Sequence, residues 1–238
     1  MPAGVNGGGA GPLVVLKFGS SVLRGADGFR TAAGEVEAEV ARGGRVVAIV
    51  SAPPGATDAL LGTAVGVCAS PPPDLLVPLL ATGEIASVAL LTMALRGIGV
   101  PARPAGAGDI GLRTRGPLLD AEPVDLDGAW VSASLQAAPV LVVPGFVGVD
   151  LSGRPSLLGR GGSDLTAVFL ADRLAADECR LVKDVDGVYP VDPNAASDAG
   201  GPFESASWDL VLDLAATLVQ PKAVRVARVW GLTFRVCA

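Results

Sequence analysis

Leu13-Val14-Val15-Leu16-Lys17-Phe18-Gly19-Ser20-Ser21 is an aliphatic run broken by a single lysine and stopped by a loop of small residues. It lacks the polar alternation of a half-wet strand, so it reads as a strand covered on both faces, as in a parallel sheet. Behind it, as far as Arg42, apolar residues recur at helical spacing among Glu and Ala. Arg45-Val46-Val47-Ala48-Ile49-Val50 repeats the buried-strand pattern and ends in Ser51-Ala52-Pro53-Pro54-Gly55, before a helix expected to be capped near Thr57 or Asp58. This βαβα alternation predicts an α/β fold with a mainly parallel sheet and helices on both faces.

Further along, a proline-rich connection at 70–74 leads into a long apolar helix over 75–95 that contains Glu84. The interrupting carboxylate favours a buried helix over a membrane span. A strand is expected at 99–102, and the turn-rich segment 106–127 is expected to carry substrate-facing loops. Val140 to Val143 returns to the buried-strand pattern, and Pro144-Gly145-Phe146-Val147-Gly148 turns into a hairpin around Ser152-Gly153-Arg154. Leu157 to Ala167 opens a helix reaching about Ala175, Cys179 to Val182 is a strand, and 184–194 is a dense series of turns. Helices around 205–218 and 220–228 and a strand at 232–236 complete the pattern, with no internal repeat.

Of the 238 residues, 50% are hydrophobic and 18% charged, with 32 Gly and 19 Pro, which suits one large α/β domain or two tightly packed lobes rich in short turns. The 18 basic and 24 acidic residues leave a formal charge of −6, which argues against nucleic acid or an anionic membrane as the main partner. The chain has no histidine. Ser-His-Asp and Cys-His catalysis and His-ligated metals are thereby excluded. Cys68, Cys179 and Cys237 are widely spaced, which supports neither a disulfide framework nor a zinc ribbon and fits a reducing cytoplasm. Residues 1–12, MPAGVNGGGAGP, read as a flexible tail rather than a signal peptide, leaving 13–238 for the folded domain.

Gly159-Arg160-Gly161-Gly162-Ser163-Asp164 lies between an apolar strand and a helix. Its amides can converge on an anion with the helix dipole behind them, and Arg160 could grip a carboxylate; a plain glycine turn with an Asp near the helix start is the competing reading. Lys17 sits where a cation would meet phosphate at the carboxyl edge of a parallel sheet, although a strand-end lysine in water has the same signature. The run is neither a Walker A loop nor a G-x-G-x-x-G turn, because Lys17 precedes its glycine. Ser51 could face the same edge or merely cap the next helix. Glu84 either reaches a surface or accepts hydrogen bonds from a ligand.

Taken together, Lys17-Phe18-Gly19-Ser20-Ser21-Val22, Val50-Ser51-Ala52 with Gly55-Ala56-Thr57-Asp58, Thr82-Gly83-Glu84, Pro144-Gly145-Phe146, Leu158 to Asp164, and Asp184-Val185-Asp186-Gly187-Val188-Tyr189 with Asp192-Pro193 resemble the aspartate kinases of the amino-acid kinase superfamily. The blocks occur in family order and span nearly the whole chain.

The resemblance implies a three-layer α/β/α sandwich, a catalytic domain without regulatory domains, and transfer of the γ-phosphoryl of MgATP to the side-chain carboxylate of L-aspartate. That reaction is the entry step to the aspartate-derived amino acids. It further implies that Lys17 and Asp164 are catalytic and that Gly19, Ser20, Ser21, Gly161 and Gly162 hold phosphate. Ser51, Thr57, Glu84, Arg160 and Ser163 would hold aspartate, with Glu84 on its ammonium and Arg160 on a carboxylate. Lys183, Asp184, Tyr189, Asp192 and Pro193 would surround the nucleotide, and Mg²⁺ would be carried by ATP rather than by a protein metal site. A homodimer is expected, with a homoserine dehydrogenase or regulatory partner as a further expectation.

Two departures stand out. The Lys17 loop is one residue shorter than the family pattern and is similar to that of glutamate 5-kinases, which keeps another small acid open as acceptor. The family's Gly-Ala-Lys reads Ala215-Ala216-Thr217, so a lysine for the nucleotide phosphates is missing and Lys183 or Lys222 would have to replace it. That loss also keeps open a binding subunit with weak or no catalysis.

Overall fold

The computed structural model describes residues 11–190, 201–214 and 218–238. Along the chain run β1 (Leu13–Phe18), α1 (Gly25–Ala41), β2 (Arg45–Val50), α2 (Ala56–Val67), α3 (Pro73–Gly97), β3 (Ala102–Pro104), β4 (Arg113–Arg115), β5 (Glu122–Asp125), α4 (Gly128–Ala137), β6 (Val140–Pro144), β7 (Val147–Asp150), β8 (Pro155–Leu157), α5 (Gly162–Arg173), β9 (Glu178–Val182), α6 (Trp208–Leu214), α7 (Pro221–Trp230) and β10 (Arg235–Cys237). Six strands form one sheet in the order β10-β9-β1-β2-β6-β3, with every neighbouring pair parallel. A smaller mixed sheet has the order β5-β4-β7-β8.

The continuous apolar runs are explained by what covers them. Leu13, Val15, Val47, Ile49, Leu141, Val143, Cys179 and Leu181 point to one face, where Phe169 and Leu170 of α5, Val131 and Leu135 of α4 and the first turns of α3 pack. The alternate residues Val14, Leu16, Phe18, Val46, Ala48, Val50, Val140 and Val142 point to the other, against Phe29, Ala33 and Val36 of α1 and Leu91 and Leu95 of α3. With both faces buried, period-2 alternation still sorts the side chains, although hydrophobicity no longer marks it. The α/β/α sandwich is the observed architecture.

By length and composition α3 could cross a membrane. Here it packs on both faces of the large sheet, through Leu76, Val77 and Leu80 at one end and Val88, Leu91 and Leu95 at the other.

Several expectations shift. The segment 106–127 contributes two strands to the small sheet, and of that segment only Leu119 lines the main cleft, so it is not a set of substrate-facing loops. Helix α4 has no counterpart in the sequence reading, because its apolar residues, Trp130, Val131 and Leu135, are too few to stand out from the turns before it. Helix α2 begins at Ala56 after Gly55 in a left-handed conformation, without a side-chain cap from Thr57 or Asp58. The last strand starts at Arg235 rather than 232. Of the expected tail, residues 1–10 lie outside the described residues, while the Pro12 carbonyl already accepts a bond from the Arg45 amide.

Candidate active site

The carboxyl ends of β1, β2, β6 and β9 open into a cleft of about 660 Å³, a size suited to a small ligand. From the adjacent strands β1 and β9 the sheet extends in opposite directions, to β2 on one side and β10 on the other, which leaves a crevice at their ends.

Sheet pleat decides which charges meet there. Lys17 follows Leu13 and Val15 on the face covered by α5, and Lys183 follows Cys179 and Leu181 onto that same face. Asp164, in the first turn of α5, lies between them. Its Oδ1 is 2.7 Å from Lys17 Nζ, its two oxygens are 3.1 and 3.0 Å from Lys183 Nζ, and the Gln220 amide donates to Oδ2 at 3.4 Å. Lys17 is 4% and Asp164 2% exposed. Burial pushes the Asp164 carboxyl up, but Lys17 and then Lys183 outweigh burial and hold it below its ordinary value. Burial, and then the charge of Lys17, pull the Lys183 ammonium down to about 8, with Asp164 offsetting only part. Two ammonium groups facing one carboxylate leave a surplus positive charge in a nearly closed site, which is the electrostatic signature of an anion pocket.

The start of α5 supplies the amides and dipole for such an anion. Gly161 is at φ 71°, and a Cβ there would come within 1.6 Å of Gln220 Cγ, so glycine is required both by conformation and by the close approach of the chain before α7. Gly162 and Ser163 are buried beside it, and the exposed Arg160 lines the same cleft. Phe146 takes a left-handed backbone (φ 66°) at the cleft wall, its amide donating to Thr166 Oγ1 at 3.2 Å.

Glu84 enters from α3. A Cβ on Gly83 would sit 2.7 Å from the Ala52 Cβ, so the glycine lets α3 lie against the loop after β2. The Ala52 amide then reaches Glu84 Oε1 at 3.1 Å, while Oε2 is buried without a hydrogen-bond partner among the described residues. Glu84 is 3% exposed. Burial, against the opposing bond from Ala52, raises its carboxyl to about 7. A buried, half-satisfied carboxylate facing a cleft is suited to an ammonium group.

Lys17, Gly19, Ser20, Ser21, Ser51, Thr57, Glu84, Arg160, Gly161, Gly162, Ser163, Asp164, Lys183 and Asp184 are thus brought together on one cleft. Tyr189 is not: its hydroxyl donates to Asp186 Oδ1 at 2.5 Å outside the lining. Asp192 and Pro193, like Thr217, lie outside the described residues. Lys222 is not among the residues lining the cleft, and its Nζ rests on Asp120 Oδ1 and the carbonyls of Ala121 and Leu158, at 2.8, 3.1 and 3.2 Å. Asp58, read in the sequence only as a helix cap and part of a motif, and Gln220 also line the cleft without having been assigned to the site; the Gln220-Pro221 pair ahead of a helix was the signal that could have marked the second.

The family model described as the amino acid kinase family matches residues 12–232. The chain is 36% identical to the aspartokinase of Pseudomonas aeruginosa over 227 residues, covering 94% of this chain and 55% of that one. It is 35% identical to the aspartokinase of Thermus thermophilus, again over 94% of this chain and 56% of the relative. The chain therefore spans about half the length of the curated relatives it matches. Aspartate kinase from Synechocystis is similar in structure, with a TM-score of 0.80 and 32% identity over 94% of this chain and 38% of that one. E. coli aspartokinase III in complex with aspartate and ADP shares the fold at TM-score 0.78 and 23% identity, over 94% of this chain and 64% of that one.

Proposed function

The chain belongs to the amino acid kinase family, and on that premise we propose that it transfers the γ-phosphoryl of MgATP to the side-chain carboxylate of L-aspartate, giving 4-phospho-L-aspartate for amino-acid biosynthesis in the cytoplasm. The observation that carries this reading is the charge layout of one cleft: the Lys17–Asp164–Lys183 cluster beside the start of α5, and the buried, half-satisfied Glu84 with the exposed Arg160. Aspartokinase relatives from two bacteria support the choice of acceptor.

An acceptor carboxylate is already ionised at pH 7, so no general base is needed and a histidine-free site suffices. Glu84 would hold the ammonium of aspartate and Arg160 its α-carboxylate, with Ser51, Thr57 and Ser163 completing the pocket. Lys17, held by Asp164, would stabilise negative charge on the transferring phosphoryl, with Gly19, Ser20, Ser21, Gly161 and Gly162 allowing close approach of the phosphates. Asp184 would lie toward the nucleotide. Asp164 is engaged by two ammonium groups, which fits a Mg²⁺ carried on the nucleotide rather than one held by this carboxylate. When bound, that ion neutralises phosphate oxygens.

A homodimer belongs to the same proposal, and the outward side of α3 supports it: Leu75, Ile85, Leu90 and Met93 are exposed along one helix. A homoserine dehydrogenase or regulatory partner remains part of the proposal as the family resemblance suggests it.

The test is incubation with MgATP, L-aspartate and hydroxylamine, with aspartyl hydroxamate as the expected product. No product above a Lys17→Ala control, from protein shown to be folded, would reject the reading; product only with another amino acid would reassign the acceptor. Because Arg160 is exposed, Arg160→Ala is expected to raise the aspartate KM about tenfold, the lower end for a hydrogen bond to a charged group, and to leave Tm unchanged. An unchanged KM would remove Arg160 from the aspartate pocket.

A further inference from the structure

We infer that Lys183 is a second phosphate-contacting cation, parked on Asp164 in the ligand-free protein and passed to the terminal phosphates of the nucleotide when it binds. This rests on the nucleotide part of the reading above, and not on the identity of the acceptor.

Three observations carry it. The first is placement: β1 and β9 pair with Lys17 opposite Leu181 and Phe18 opposite Val182, so Lys183 emerges opposite Gly19, at the head of the phosphate-side loop. A Cβ on Gly19 would lie 3.3 Å from Lys17 Nζ and 3.8 Å from Lys183 Cδ, so both lysine side chains converge over that one glycine. The second is charge balance. Lys17 and Lys183 share a single carboxylate, and the side chains of Lys17, Lys183 and Asp164 are 5%, 10% and 3% exposed. A surplus ammonium so poorly hydrated gains most from an incoming anion, and a polyphosphate supplies more charge than one lysine can match. The third is the ease of transfer. Burial and Lys17 already weaken the hold on the Lys183 proton, so Asp164 alone does not fully satisfy this ammonium, and a phosphate oxygen would.

Lys183 thereby differs from Lys222, which is held by three acceptors and is not among the residues lining the cleft. It also accounts for how the chain can dispense with a lysine at Thr217.

Calorimetric titration of the whole chain with ADP and with AMP tests the assignment. For Lys183→Met, ADP affinity is expected to fall roughly tenfold to a hundredfold and AMP affinity less than threefold, with Lys183→Arg recovering most of the loss. Unchanged ADP affinity, or an equal loss for AMP, would overturn it, since a purely structural lysine would not distinguish the two nucleotides.

A second measurement needs no variant. The other charged groups lining the cleft are Lys17 from β1, Asp58 from α2, Glu84 from α3, Arg160 before α5, Asp164 from α5 and Asp184 beside Lys183; of these Glu84, raised to about 7, is ionised early in the pH window and would act on ADP and AMP alike. Since Lys183 in the ligand-free protein is an ammonium below about 8 and a neutral amine above it, wild-type ADP affinity is expected to fall between pH 7 and 9.5 while AMP affinity holds; a parallel fall in both would count against the assignment. Protein that binds ADP in this way yet makes no aspartyl hydroxamate would refute the acceptor and leave the role of Lys183 standing.

Discussion

Lys17→Met is expected to lower kcat for aspartate phosphorylation by about three orders of magnitude while the protein stays folded. The magnitude follows from removing a preorganised charge aimed at the transferring phosphoryl, which typically costs a hundredfold to a thousandfold, in a site where that charge is almost fully buried. Folding should survive because Asp164 keeps Lys183 and the Gln220 amide as partners, and because removing Lys17 ends the repulsion between the two ammonium groups. Two measurements decide it: the rate of hydroxamate formation and the thermal midpoint. A variant within tenfold of wild type would show that Lys17 does not act on the transferring group.

Glu84→Gln is expected to damage aspartate binding and stabilise the free protein at the same time. The sign follows from the shift. Burial raises the Glu84 carboxyl from 4.5 to about 7, so the folded protein holds this proton more tightly than the unfolded chain does. Stability therefore declines as pH rises from about 4.5 to 7, and above 7 the full cost, about 3 kcal/mol, is present. The amide of Gln carries no charge to desolvate, so Tm at pH 8 should rise by roughly 5–10 °C, while at pH 5, where folded Glu84 is already protonated, little should change.

In the same variant the aspartate KM should rise about a hundredfold, because a buried carboxylate facing the substrate ammonium is lost. A Tm gain equal at both pH values would contradict the burial argument, and a normal KM would place the ammonium elsewhere. The opposed effects have one origin: the desolvated carboxylate that costs the free protein stability is the group the substrate would satisfy.

How much of this was legible beforehand depends on whether a feature is local. The hexapeptide Gly159 to Asp164 announced a helix start able to hold an anion, and the structure puts it on the cleft. Glu84 stood out as a carboxylate in an apolar helix, and it is buried with one oxygen unpartnered among the described residues. Lys183 and Lys222 could both stand in for the missing lysine by sequence, Lys183 also lying in a nucleotide-side motif, and they are unequal in space, because only the fold brings Asp120 and two carbonyls onto Lys222. Tyr189 shared a motif with Asp184 but turns to Asp186 instead.

The sequence by itself determined strands at 13–18, 45–50, 140–143 and 179–182, the last two a residue short of the observed ones, and the covering of both faces of their sheet, since side-chain period and uninterrupted apolar runs are properties of short segments. It also determined what chemistry was possible, through the lack of histidine and the order of its motifs. Only the tertiary structure decided that β9 is the neighbour of β1, and so that Lys17 and Lys183 converge on Asp164. Strand pairing is a choice among distant partners of equal hydrophobicity, and the charge state of a side chain depends on how deeply the rest of the chain buries it, so neither is written in any local stretch.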